Sequence, residues 1–175
     1  MSSIIDIKPV YTINLNEFYG ANLLNENKYR NKSDRYKVLL IDQDYSDYIF
    51  KEIYDLQLLG HIIIIMYPEK LTDIYNNIEE INKFLDAGCL FILDAKSLEG
   101  DYGRSIKNTA KQLLEKNIYS FIIKNHVSED MLNNKIKRDN KIREKLISNL
   151  NHLVNDEIIE SSKRRVKKKK LLGVF

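Results

Sequence analysis

The chain has 175 residues, 43% of them apolar and 30% charged, with a net charge of +3. That is the make-up of one globular domain with a sizeable core, and it excludes a disordered or collagen-like chain. No apolar run approaches the ~20 residues of a membrane span, and the single cysteine, Cys89, has no disulfide partner within the chain.

The opening residues, MSSIIDIKPVYTIN, lack the basic-then-apolar pattern of a signal peptide, so a cytoplasmic location is expected. Val10–Asn14 reads as a first strand, and Asn22–Asp34 as a loop. Tyr36–Asp42 reads as a second strand. In Ser46–Leu59, Ile49, Ile53, Leu56 and Leu59 share one helical face. His61–Met66 contains four consecutive isoleucines, which suits a strand covered on both sides. Leu71–Ala87 predicts one helix, with Ile74, Ile78, Ile81, Phe84 and Leu85 inward and Gly88 as its stop. Cys89–Leu93 is the fourth strand. Cys89 itself reads as a small buried hydrophobe, because no base stands beside it to make it a nucleophile.

Ile106–Glu115 predicts a further helix and Tyr119–Ile123 a fifth strand. Strand and helix alternate, so the fold class is α/β with a parallel sheet. Ser128–Glu160 is helical and heavily charged, with Ile136, Ile142, Leu146, Leu150 and Leu153 as a stripe that would lie across the outside of the body. The division is a domain over residues 1–160 and a basic tail over 161–175. Lys163, Arg164, Arg165 and Lys167–Lys170 carry seven positive charges; subtracted from +3, they leave a body of −4. This tail reads as a solubilising end. Contact with an anionic membrane surface is the alternative, helped by Leu171, Leu172, Val174 and Phe175. Without interleaved aromatic residues, nucleic acid is not the expected partner.

Ligand groups in parallel α/β folds gather at the C-terminal ends of strands. Those ends offer Asn16 and Glu17, Asp42 and Asp44, Tyr67, Glu69 and Lys70, Asp94 and Lys96, and Lys124, Asn125 and His126. Of three histidines, His61 opens a strand, His152 lies in the last helix, and His126 alone stands at a strand end. A polynuclear metal centre needs several His and carboxylate ligands converging on its ions, so these residues alone support one poorly. Lys70, Lys96 and Lys124 could share a rim and hold a phosphate as point charges. Glu17 taken by itself reads as an exposed loop acid. Gly100 and Gly103 in EGDYG read as a tight turn into a helix.

Several stretches taken in order, LQLLGHIIIIMYPEK (56–70), AGCLFILDAKSLEGDYGRSIKNTAKQLLEKN (87–117), NLNEFYG (14–20), YKVLLID (36–42) and SFIIKNHV (120–127), resemble the CpsB/CapC-type bacterial tyrosine-protein phosphatases, metal-dependent enzymes of the polymerase-and-histidinol-phosphatase (PHP) superfamily. The resemblance implies a PHP-type distorted (β/α) barrel, here partial and lacking the first strand or strands. It also implies a Mn²⁺-dependent phosphatase opposing a bacterial tyrosine kinase of the capsule or exopolysaccharide machinery. On the family pattern Glu17 corresponds to a bridging metal ligand and Lys70 stands at the catalytic Arg; Lys96 and Lys124 are candidate substrate-binding residues from their strand-end positions alone.

The departures fall at the chemistry. The family's Asp-x-His-x-His has no match before Val10, its Ala-His-Pro-Glu-Arg histidine is Tyr67, and its Ser-Asp-Ala-His aspartate and histidine fall on Asn125 and Val127. A one-residue slip would bring His126 to the last of these. Asp94 stands at the family's Asn, where it would orient the strand–loop junction. The resemblance therefore implies an N-terminally truncated and degenerate member. Three readings stay open. One is a catalytically impaired protein with a binding or regulatory role and no cofactor. Another is an active Mn²⁺-dependent phosphatase whose ligands come partly from another protomer or subunit, and the last is a nonfunctional remnant. A barrel short of strands also implies a rearranged sheet or self-association.

Overall fold

Four isoleucines in a row cannot alternate between core and solvent, so their strand has to be covered on both faces. The computed structural model describes residues 8–9, 18–19, 35–41, 44–136 and 140–168. In it Ile62–Met66 (β3) lies parallel to and between Tyr36–Leu40 (β2) and Leu90–Asp94 (β4). Phe121–Ile123 (β5) continues the parallel sheet beyond β4, and Lys8–Pro9 (β1) pairs antiparallel with β2. The strand order is β1-β2-β3-β4-β5. Sequence neighbours are sheet neighbours, as expected when each βα unit adds its strand on the same side. Phe18 bridges Ile123, and the Tyr19 N–H donates to Ile122 O at 2.8 Å, beside β5.

Four of the five predicted strands are present, three trimmed by one or two residues and that expected over Cys89–Leu93 shifted by one to Leu90–Asp94; Val10–Asn14 lies outside the described residues. β1 was not expected. Its Pro9 lacks a donor and suits a sheet edge.

Tyr48–Leu58 (α1) buries Ile49 and Ile53 against the sheet. The helix expected over Leu71–Ala87 is instead Thr72–Asn76 (α2), a 3₁₀ turn at Ile78–Glu80, and Ile81–Asp86 (α3). Asn77 is extended between them, with its Nδ2 donating to Glu80 Oε1 at 3.1 Å. Local bonds of this kind compete with helix continuation. The apolar spacing survives the break, since Ile74, Ile78, Ile81 and Phe84 are all buried. Ala95–Glu99 (α4) follows β4 directly where the sequence reads as loop, then comes Arg104–Glu115 (α5). The helical region after β5 divides into Glu129–Ile136 (α6) and Asn140–Val154 (α7). Among the described residues no helix is long and apolar enough to cross a membrane.

The sheet has two cores. Leu39, Ile63, Ile65, Phe91, Leu93 and Ile122 pack with the inward faces of α1 to α5, while Ile64, Met66, Leu90, Ile92, Phe121 and Ile123 form the second face. α7 serves both: Ile142 and Leu146 enter the first core, Leu150 and Val154 the second. It is pinned by Lys145 Nζ donating to Asn117 O and Tyr119 O at 2.9 and 3.0 Å, and by Asn149 Nδ2 donating to Ser120 O at 3.1 Å. So α7 closes the core beside β5, where an outer position was expected.

The chain then runs back across the body. The Tyr36 hydroxyl donates to Glu157 O and accepts from the Ile159 N–H at 3.1 Å. The Asn82 side chain holds both main-chain groups of Val166 at 2.8 Å, and Val166 is 1% exposed. Arg165 forks onto Asp86 at 2.9 and 2.8 Å. The first part of the basic run is therefore a strap against α3, because one apolar residue and nearby acids give it an anchor.

Tyr36→Phe leaves Glu157 O and the buried Ile159 N–H without that partner. It is expected to lower stability by about 1–3 kcal/mol in urea unfolding; an unchanged midpoint would show that the hydroxyl does not hold this segment.

Candidate functional site

At the end of β3 the backbone turns sharply. Tyr67 has φ 55°, in the left-handed region, and its N–H donates to Ile92 O at 2.8 Å, hooking the turn onto β4. A non-glycine residue there costs about 1–2 kcal/mol, which the surrounding structure offsets. Pro68 then opens the 3₁₀ turn Pro68–Lys70. This turn sends Glu69 into the protein and Lys70 across the strand ends.

Glu69 is 0% exposed. Its Oε1 accepts from the Asp94 N–H at 3.1 Å and from Ser97 Oγ at 2.8 Å, and its Oε2 accepts from Tyr119 Oη at 3.1 Å. Burial pushes its pKa up to about 7, although the hydrogen bonds from Ser97 and Asp94 and the charge of Lys70 pull the other way.

β4 ends at Asp94, whose Oδ1 caps α4 by accepting from the Lys96 N–H at 3.0 Å. Its Oδ2 accepts from Lys70 Nζ at 2.6 Å and from Tyr102 Oη at 2.8 Å. Burial by itself would raise the Asp94 pKa; the bonds from Lys70, Asn125 and Tyr102 outweigh it and hold the carboxyl below its usual range. Tyr102 reaches this point through Gly100 and Gly103, both at φ 98°. A Cβ on Gly100 would also lie 3.1 Å from the Lys107 side chain. Lys70 Nζ lies 3.6 Å from the centroid of the Tyr102 ring and 4.4 Å from that of Tyr67. An ammonium between two aromatic faces and one carboxylate is well held.

After β5, Lys124–Val127 forms a tight turn with Asn125 at φ 44° and His126 at φ 71°, closed by the Val127 N–H donating to Lys124 O at 2.8 Å. Asn125 Nδ2 donates to Tyr67 Oη at 3.4 Å, and Lys124 lies 3.5 Å from Glu129. His126 is exposed and Lys96 is half-buried on α4. Lys70, Lys96 and Lys124 thus follow adjacent strands at one end of the sheet, but Lys70 and Lys124 each face a carboxylate. Glu17 lies outside the described residues. His61 precedes β3, and His152 stands 3.5 Å from Glu157 on α7. Cys89 is buried and its thiol is pushed up to about 12 by that burial. Sequence reasoning placed Tyr67, Glu69, Lys70 and Asp94 at strand ends. It missed Ser97, Tyr102 and Tyr119, polar groups in apolar or turn-like contexts whose partners are distant in sequence.

Among the described residues no group of three or more His, Cys, Asp or Glu side chains could hold one ion. The donor chemistry agrees. Both oxygens of Asp94 and both of Glu69 are engaged by protein donors, and the cation held against Asp94 is the Lys70 ammonium. A divalent ion would have to displace that ammonium, so these residues do not fit a divalent metal.

The capsular polysaccharide synthesis CpsB/CapC family matches residues 18–160. This chain belongs to that family. The tyrosine-protein phosphatase YwqE of Bacillus subtilis is 26% identical over 141 residues, which are 75% of this chain and 54% of YwqE. The CapC protein of Staphylococcus aureus is 33% identical over 69 residues, 39% of this chain and 27% of CapC. The chain therefore spans about half or less of the curated relatives it matches. The crystal structures of YwqE and of CpsB from Streptococcus pneumoniae, described as metal-dependent tyrosine phosphatases, include a chain with TM-score 0.66 and 21% identity. That match covers 77% of this chain and 59% of the other, so the likeness of fold extends over about three quarters of this chain.

The buried carboxyl gives this CpsB/CapC member a pH signature. An unfolded Glu titrates near 4.5 and the folded Glu69 near 7, so the folded state binds the extra proton between them. That contribution is fully present below about pH 4.5 and is lost as pH rises through about 7, up to about 3 kcal/mol. Glu69→Gln keeps the shape and stays neutral. The stability difference between variant and wild type should therefore shift in favour of the variant across this window in urea titrations. Parallel profiles would show that Glu69 does not titrate there.

Proposed function

We propose that this protein is a catalytically impaired CpsB/CapC member that acts by binding or regulation beside a tyrosine kinase of capsule or exopolysaccharide synthesis. The observation that carries the reading is the Lys70–Asp94 pair at 2.6 Å. At the position where the resemblance puts a phosphate-gripping Arg stands a lysine already neutralised from within the chain. At the position of a ligand histidine stands Tyr67, whose phenol is a poor ligand for Mn²⁺. Lysine also lacks the planar fork that grips two phosphate oxygens together.

In this reading Glu17 and His126 are relics of a ligand set, and Lys96 and Lys124 are rim cations that can attract a phosphorylated partner. The sequential parallel strand order supports a partial PHP-type barrel. A cytoplasmic, membrane-peripheral location goes with a kinase partner at the site of polysaccharide export.

Hydrolysis of a phosphotyrosine peptide, with and without added Mn²⁺, tests the reading when bound metal is measured in the same sample. No turnover and no stoichiometric metal are expected. Metal-dependent turnover that disappears in Glu17→Ala would sink it. Asp94→Asn isolates the electrostatic part, because an Asn carbonyl oxygen still caps α4 and its amide can donate to the Tyr102 hydroxyl, while Lys70 is left without its counter-charge. Affinity for inorganic phosphate should rise about tenfold, the effect of removing one unit charge next to the site, again without turnover. Unchanged phosphate affinity would show that the pair does not block Lys70.

A further inference from the structure

Apart from the strand-end site, positive charge is collected along one side of the molecule. α5, its cap residue Lys116 and residues 161–168 carry nine basic side chains and one acid, Glu115, while Glu79 and Asp86 reach the strap from the neighbouring 3₁₀ turn and α3. The strap lies along α5. Arg164 Nη1 donates to Lys116 O at 3.4 Å, and Lys168 lines the same cleft as Lys111. Arg164 is also close enough to Lys145 to help hold that amine below its usual range, where burial is the larger cause.

The arrangement is fixed by groups other than these cations. Val166 is buried, Asn82 grips its main chain on both sides, and the Lys168 N–H donates to Glu79 Oε1 at 3.0 Å. Arg165 is committed to Asp86. Lys163, Arg164, Lys167 and Lys168 remain exposed around the one buried residue. Like charges held together repel, so a surface of this kind is best compensated by an extended anionic partner. Residues 161–168 contain no aromatic side chain, so base stacking has no platform on the strap. Lys169 and Lys170 come next in sequence, followed by Leu171, Leu172, Val174 and Phe175. Basic residues beside apolar ones are the composition of a membrane-surface segment.

We infer that Lys111 and Lys116 of α5, with Lys163, Arg164, Lys167 and Lys168 of the strap, form a docking surface for an anionic membrane. Each basic residue near such a surface adds about fivefold to affinity. Holding the charges in place beforehand reduces the ordering cost that a loose tail would meet. Nothing in this depends on the Lys70–Asp94 site, so either reading can fail alone.

The test is sedimentation of the full chain with vesicles of phosphatidylcholine alone and with about one third phosphatidylglycerol. Binding is expected only with the anionic vesicles, and it should be lost in about 1 M salt, where charges are screened within about 3 Å. The double variant Lys111→Glu/Lys116→Glu leaves the strap and the last seven residues unchanged, and should bind on the order of a hundredfold more weakly. Asn82→Ala alters no charge and should weaken binding several-fold by loosening the strap. Thermal melts of both variants separate these effects from misfolding. Equal sedimentation with both vesicle types overturns the inference. Full binding by the double variant does so as well, placing the affinity in the tail alone, and full binding by Asn82→Ala removes the role of the fixed strap. Capture by soluble heparin without vesicle binding would assign the face to a soluble polyanion and reject the membrane.

Discussion

The carboxyl group of Glu69 joins three strand ends. It belongs to the turn after β3, accepts from the main chain at the end of β4 and from Ser97 on α4, and meets Tyr119 just before β5. A buried carboxyl without partners would be costly, whereas one that meets three donors converts the same burial into a tie across the sheet. The tie also decides where its neighbours go. With Glu69 turned inward and Tyr67 held in the left-handed region, Lys70 lies over the end of β4, where Asp94 faces it.

This constraint changes the chemistry that the strand ends can support. Carboxylates gathered at one end of a parallel sheet call for a compensating cation, and in metal-dependent enzymes the ions supply it. Here Lys70 supplies it from within, and the rings of Tyr67 and Tyr102 flank the ammonium. Its partner is 1% exposed while the Lys70 side chain is 19% exposed, so the pair is partly buried, and leaving one member alone costs about 1–3 kcal/mol. The strand ends are thus stabilised by the same contacts that occupy them. A divalent ion or a phosphate would have to compete with an intramolecular partner that is always present at high effective concentration.

What the sequence conveyed and what it withheld divide along sequence separation. The isoleucine run of β3, the apolar run of β4 and the face of α1 are local patterns, and each element was readable from them. The division of Leu71–Ala87 was not, because the break goes with a local bond from the Asn77 side chain to Glu80 that leaves the apolar spacing intact. Glu69, beside Lys70, was readable only as a strand-end group. Its burial depends on Ser97 and Tyr119, which lie 28 and 50 residues away. Lys70 was readable as a strand-end cation, yet its partner Asp94 is 24 residues on, and Tyr102 returns to the same carboxylate only through two left-handed glycines. The strap was hidden for a similar reason. A single valine in a basic run carries no periodicity, and its contacts are with Asn82, 84 residues earlier.

The second face of the sheet shows how the body holds together. In a closed barrel the side chains of Ile64, Ile92 and Phe121 would meet those of other strands across the interior. Here they are no more than 1% exposed because Leu150 and Val154 of α7, Ile159 and Phe18 lie over them. The cover comes from the β5 side and thins toward β2, where Val38 is half-buried, as is Ile62 at the start of β3, and Leu40 is 38% exposed. Tyr36 sits on that thinly covered strand, and its hydroxyl bonds the main chain at Glu157 and Ile159. One phenol therefore ties this thinly covered strand to the segment that covers the others. The second core depends on that segment as much as on the strands beneath it.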